Sequence, residues 1–178
     1  VPANWVTPAL GASIPVYELQ LATNSTFTQG LTTFTGITDS HYELPPALAN
    51  GTYFWRVRAM TNLQLPGAYS PVYRFIIDTQ PPSPPQLLAP SLNGVVATIR
   101  PVIKWKAVAD AKRYRARIAT NFSGTTVVPG AEAEGSSLVY VPGVDIPQGE
   151  YWFCVESQDA AGNWSGFGEK RRFVVNLS

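Results

Sequence analysis

The 178 residues carry 13 basic and 12 acidic side chains for a net charge of +1, and only 14% of them are charged, so neither nucleic acid nor an anionic membrane is expected as a partner. Sixteen Pro and fourteen Gly beside eight Phe, eight Tyr and five Trp are too many helix breakers and strand-favouring aromatics for a helical protein, and an all-β chain is expected. No run is long and apolar enough to insert into a bilayer, and no basic-then-apolar leader opens the sequence, so Val1 reads as an interior start or a processed end.

In chain order, the first apolar element is Asn4-Trp5-Val6, followed by the breaker Pro8; its counterpart in the second half is Val102-Ile103-Lys104-Trp105-Lys106. Next come Tyr17 to Asn24 and Tyr114 to Asn121, two versions of one alternating strand with the same Ala-Thr-Asn exit. Period two means one buried face. The Ser/Thr/Gly-rich passages Ser25 to Ser40 and Phe122 to Ser137 read as a weak edge strand with loops. Tyr42-Glu43-Leu44-Pro45 then matches Val139-Tyr140-Val141-Pro142, a strand stopped by proline in both copies.

The strongest echo follows. Gly51 to Ala59, GTYFWRVRA, returns as Gly149 to Ser157, GEYWFCVES. Tyr53, Trp55, Val57 and Ala59, like Tyr151, Phe153, Val155 and Ser157, fall on one face. Leu48 and Ile146 each precede their Tyr by five residues, marking a corner at which the Tyr hydroxyl is placed to bond loop backbone. After a turn, Thr61 to Ser70 or Gln158 to Ser165, each half closes on a strand: Val72 to Ile77 with Tyr73, Phe75 and Ile77 inward, and Arg171 to Val175 with Phe173 and Val175 inward.

The repeat divides the chain into domains 1–78 and 86–178, joined by a Pro-rich linker 79–85 that reads as a semi-rigid extended spacer. The halves differ little in charge: three Arg against four acids before residue 79, ten basic against eight acidic residues after it. The single cysteine, Cys154, excludes an intrachain disulfide and leaves stability to packed aromatics. Low charge with many Thr and Ser suits an extracellular or cell-surface setting.

This order of elements, with the wording GTYFWRVRA, DAAGNWS and a DTQPPSPP-type spacer, resembles the fibronectin type III domains strung together in secreted bacterial proteins. The resemblance covers the whole chain and implies two tandem immunoglobulin-like β-sandwiches, each of seven strands in two sheets. It implies fold more than function, because the family serves as spacer, adhesion module and enzyme accessory alike. One departure stands out. The second half has a first strand, Gln86 to Ala89, ahead of Trp105, whereas the first half has none, leaving the Trp5 strand as an unpaired edge. Either the sequence starts inside a domain, or another protein chain adds the strand, as in a filament or sheath subunit. No Arg-Gly-Asp tripeptide is present.

No catalytic, cofactor-binding or metal-binding set emerges. His41, the only histidine, falls on an outward phase with no Cys or second His nearby and reads as a surface residue; no nucleophile elbow accompanies the scattered Ser. Glu132, Glu134, Asp145 and Asp159 are placed in loops, where the lack of an alternating Asp/Asn-Gly pattern favours solvated charge over a Ca²⁺ site. Cys154 aligns with Arg56 on the outward phase, which argues against a core thiol, and nothing marks it as activated. Arg56, Arg58 and Arg74, then Arg115, Arg117 and Arg172, line the outer faces with Phe54 and Trp152 at matching places. Aromatics among arginines suit a polysaccharide; equally, they suit a protected surface with an Arg117–Glu156 pair and an Arg stacked on Trp152. Trp164 reads as a packing residue closing one sandwich end. The Asn-x-Ser/Thr triplets at Asn24, Asn50, Asn121, Asn163 and Asn176 matter only in a glycosylating host. The expected role is a non-catalytic structural or adhesion module that spaces or self-assembles; the alternative is an accessory, carbohydrate-binding module of a secreted enzyme.

Overall fold

The computed structural model describes residues 2–5, 16–61 and 65–178; Val6, Pro8 and part of the Thr61–Ser70 turn lie outside the described residues. The chain is all-β and divides into two compact units, Val1–Asp78 and Thr79–Ser178.

In the first unit, β1 (Pro2–Asn4) pairs with β4 (His41–Glu43), and a four-stranded sheet runs β3 (Thr32–Ile37), β2 (Val16–Ala22), β5 (Gly51–Met60), β6 (Tyr73–Ile77). Alternation seats the inward residues: Tyr17, Leu19, Leu21 and Val57 meet Ala3, Ile37 and Leu44 in the core, with Trp55, Tyr53 and Phe75 packed at its margin. The Tyr53 hydroxyl donates to the Ala49 carbonyl at 3.0 Å, so the corner is tied as its sequence anticipates. Gly36 takes φ +75° where β2 and β3 slip register between Tyr17 and Leu19. Such a bulge needs the extra residue in a left-handed conformation.

The second unit repeats the plan with one strand more. A three-stranded sheet orders β12 (Val139–Tyr140), β9 (Ile103–Trp105), β7 (Leu87–Ala89), and a five-stranded sheet orders β11 (Val127–Gly135), β10 (Arg113–Ala119), β13 (Gly149–Gln158), β14 (Arg171–Val175), β8 (Gly94–Val96). Its core is more fully closed. Phe153, Phe173, Ile118, Ile146 and Val175 have no exposed surface.

Three expectations are corrected. The passages read as weak edges hold substantial strands, β3 and β11, and Glu132 and Glu134 stand on β11, not in a loop. The first strand of the second unit is split: Leu87–Ala89 pairs with β9, and Gly94–Val96 crosses to the other sheet to run parallel to β14. Within the Pro-rich stretch, Pro85 is buried and the Ser83 carbonyl accepts the Ser157 hydroxyl at 2.8 Å, so its second half is part of the second unit's body.

Candidate functional site

The outer face of each four- or five-stranded sheet carries a ladder of guanidinium groups, aromatic rings and carboxylates. In the first unit the β2–β5 register sets Glu18 opposite Arg58 and Gln20 opposite Arg56. Arg58 bonds Glu18 at 2.8 Å, the Tyr69 hydroxyl donates to Glu18 at 2.7 Å, and Arg56 donates twice to Gln20 Oε1, at 2.9 and 2.7 Å. Arg56 lies between the rings of Phe27 and Tyr69, 4.1 and 3.9 Å from their centres, and Arg58 lies 4.5 Å from Tyr69. A planar cation over a ring face gains from the ring quadrupole while its edge stays free for hydrogen bonds.

In the second unit Arg115 donates to Glu134 at 2.6 Å and to Glu156 at 2.8 Å and lies 4.4 Å from the Trp164 ring. Arg117 lies 3.6 Å from Phe167, with Glu132 at 3.9 Å. The register pairs Arg115 with Glu156 and Arg117 with Cys154. The expected Arg117–Glu156 pair is therefore one rung off, and the ring beneath the arginines is Trp164 or Phe167, not Trp152. Trp164 does not close a sandwich end; it covers this face. Aromatic-Ser dipeptides supply the capping ring in both units, Tyr69-Ser70 and Trp164-Ser165, and in each the Ser hydroxyl accepts an amide of the long strand, from Val57 at 3.1 Å and from Ser157 at 3.0 Å.

The two carboxylates at the centre of these ladders titrate in opposite directions. The hydrogen bond from Arg58, ahead of an opposing desolvation and aided by Tyr69, holds the Glu18 carboxyl below its usual range. Burial pushes the Glu156 carboxyl up despite Arg115 and Arg117. Cys154, expected to face solvent, is 1% exposed. Its phase is outward as its sequence position implies, but the loop at Gly124 and the Lys170 stem close over it, and burial pushes its thiol up.

The remaining candidates are dispersed. His41 is exposed on β4. Asp145 pairs with Arg100 at 2.9 Å, and Asp159 accepts the Ala161 and Asn163 amides, both at 2.9 Å, as a turn cap. Among the described residues no group of three His, Cys, Asp or Glu side chains converges as a metal site, and no helix is long and apolar enough to cross a membrane.

The feature that sequence reasoning located but could not shape is the opening beside Trp5. An open groove of about 690 Å³ is lined by Trp5, Tyr17, Trp55, Val57, Ala59 and Tyr73, among others. Trp5 meets the Tyr17 ring edge at 5.3 Å and Trp55 stacks on Tyr73 at 4.9 Å. Tyr73, expected inward, has the inward phase yet is 50% exposed, as nothing among the described residues covers it.

No family model matches the sequence, and no curated protein matches it significantly. Among solved structures, the FN1–FN3 domains of chicken CNTN1 superpose with a TM-score of 0.51 at 13% identity, over 92% of this chain and 57% of that one. The chicken interferon gamma receptor alpha chain gives 0.43 at 11% identity, over 98% of this chain and 91% of that one. The chain thus spans little more than half the length of the CNTN1 fragment. Likeness at this identity speaks to fold alone, and the fold is the immunoglobulin-like β-sandwich of the fibronectin type III kind.

Proposed function

We propose that the chain is a non-catalytic extracellular module that spaces and adheres at a cell surface, of the type strung together in secreted bacterial proteins. The observation that carries this reading is the commitment of its reactive side chains to structure. Arginines and carboxylates of both outer faces are spent on each other and on aromatic rings, Cys154 is sealed, and Asp159 caps a turn. Fibronectin type III-like domains commonly serve such mechanical roles, which is consistent with this reading. Stretching single molecules of the whole chain should give two separate unfolding events, one for about 78 residues and one for about 100. A chain that extends without resistance has no spacing function.

A second reading, an accessory polysaccharide-binding module, draws on Phe54 and Trp152. These hold matching outer positions on β5 and β13, are half-buried, and unlike Phe27, Tyr69, Trp164 and Phe167 carry no guanidinium on their rings. Retention on an insoluble polysaccharide that is lost in Trp152→Ala would favour it over the spacer.

A further inference from the structure

The two units answer differently to the same core positions. Trp105, Tyr114, Phe153 and Val155 are at most 5% exposed, while the matching Trp5, Trp55 and Tyr73 of the first unit stand open along the groove. The cause lies in one segment. In the second unit Pro85 and Leu87 point inward two residues apart, both buried, and β7 lies beside β9, with the Lys106 amide donating to the Gln86 carbonyl at 2.9 Å and Leu87 opposite Trp105. Among the described residues of the first unit no strand lies at that edge of β1.

The backbone of β1 is set to receive one. The Trp5 amide donates to the Ser40 carbonyl of the β4 side at 3.0 Å, as Trp105 does to Leu138 at 3.3 Å. Hydrogen bonding alternates along an antiparallel strand, so the Asn4 amide is directed to the opposite edge, as the Lys104 position is toward Ala89 of β7. Asn4 is exposed.

We propose that this groove is an acceptor for an extended strand of Pro-x-Leu pattern donated by a separate polypeptide, completing the first unit as Pro85–Ala89 completes the second. This goes beyond the spacing role, which stands without it. Backbone bonds to the edge supply affinity, and alternate apolar side chains entering the groove supply selectivity. A second copy of this chain is disfavoured as donor. Its own segment of this pattern already has Pro85 and Leu87 buried and Ser83 bonded to Ser157, and releasing it would open one core to close another.

The probe is a blocked synthetic peptide with the sequence of residues 81–92, titrated into the whole chain and followed by amide-resolved NMR. Saturable shifts at Pro2–Trp5, Trp55 and Tyr73 are expected, and a peptide carrying Leu87→Asp should fail to produce them. Asn4→Pro removes the one edge amide without touching those that face β4. It should weaken binding about tenfold, the worth of one well-made backbone hydrogen bond, while the core resonances of β2 and β5 stay in place. Absence of binding, shifts confined to the second unit, or unchanged affinity in Asn4→Pro would overturn the proposal. So would a chain that sediments as a dimer with the groove resonances already protected, which would make the occupant a second copy.

Discussion

Glu18–Arg58 and Arg115–Glu156 are the same cross-strand rung with its charges exchanged, since Tyr17 and Tyr114, and Val57 and Val155, hold matching places beside them. What persists between the copies is the pair and not either residue. The environments nevertheless differ, and so does the sign of each contribution to stability. Glu18 is depressed in the folded state, so its contribution is present above the unfolded carboxylate value of about 4.3 and is lost as pH falls through its lower folded value. Glu156 is raised, so keeping it charged costs stability at neutral pH, and that cost disappears as pH falls from its folded value toward the unfolded one. Glu18→Gln should destabilise the first unit by about 1–3 kcal/mol at pH 7 by leaving Arg58 half-satisfied, and should flatten its acid-induced loss. Glu156→Gln should cost the second unit little, because Arg115 keeps Glu134, and should remove an opposite slope. Denaturant titrations between pH 3 and 7 check both; slopes of the same sign would contradict the assignment. The exchange itself was open to sequence reading, because Glu and Arg alternate visibly in both copies. The rung was not, because register is fixed by turns whose geometry composition does not report.

At the level of strands, alternation made β2, β5, β10, β13 and β14 plain, and the proline stops marked the ends of β4 and β12. The elements that sequence hid share a physical reason. β8 is three residues long and pairs in parallel with a strand far along the chain, and β11 is interrupted by Pro129-Gly130 where it bulges against β10. Periodicity likewise reported the face of Cys154 but not the loop that lands on it. Gly130 is the residue on which that bulge turns: its φ is +76°, and a Cβ there would lie 2.8 Å from Val144 Cγ1. Gly130→Ala should therefore destabilise the second unit by about 1–3 kcal/mol, measured by thermal unfolding. A neutral result would mean that the bulge relaxes freely.

For the whole molecule, two separate cores imply two unfolding transitions. The first unit has its Trp55, Tyr53 and Phe75 at the margin of its core, whereas Phe153 and Phe173 have no exposed surface in the second. The first unit should unfold at the lower denaturant concentration, by virtue of less apolar area removed from water. Cys154 supplies an independent reading of the second transition: a sealed thiol reacts when its unit opens, so labelling by an aromatic disulfide should track the later step only. Labelling at the earlier step would show that the order is reversed or the units melt together.

The hairpin ends after β2 and β10 are held by a shared clasp. Asn24 Nδ2 donates to the Thr26 and Thr28 hydroxyls, both at 2.7 Å, and Asn121 Nδ2 to Ser123 and Thr125, both at 2.9 Å, while each Oδ1 accepts a backbone amide across the loop. Both asparagines head acceptor triplets for N-linked sugar. A eukaryotic secretion host that decorated them would convert a primary carboxamide into a substituted one, leaving a single hydrogen where two are spoken for. Material made that way would carry loosened tips on both sandwiches, and Asn24→Asp with Asn121→Asp would not restore them, since a carboxylate has nothing to donate to the hydroxyls.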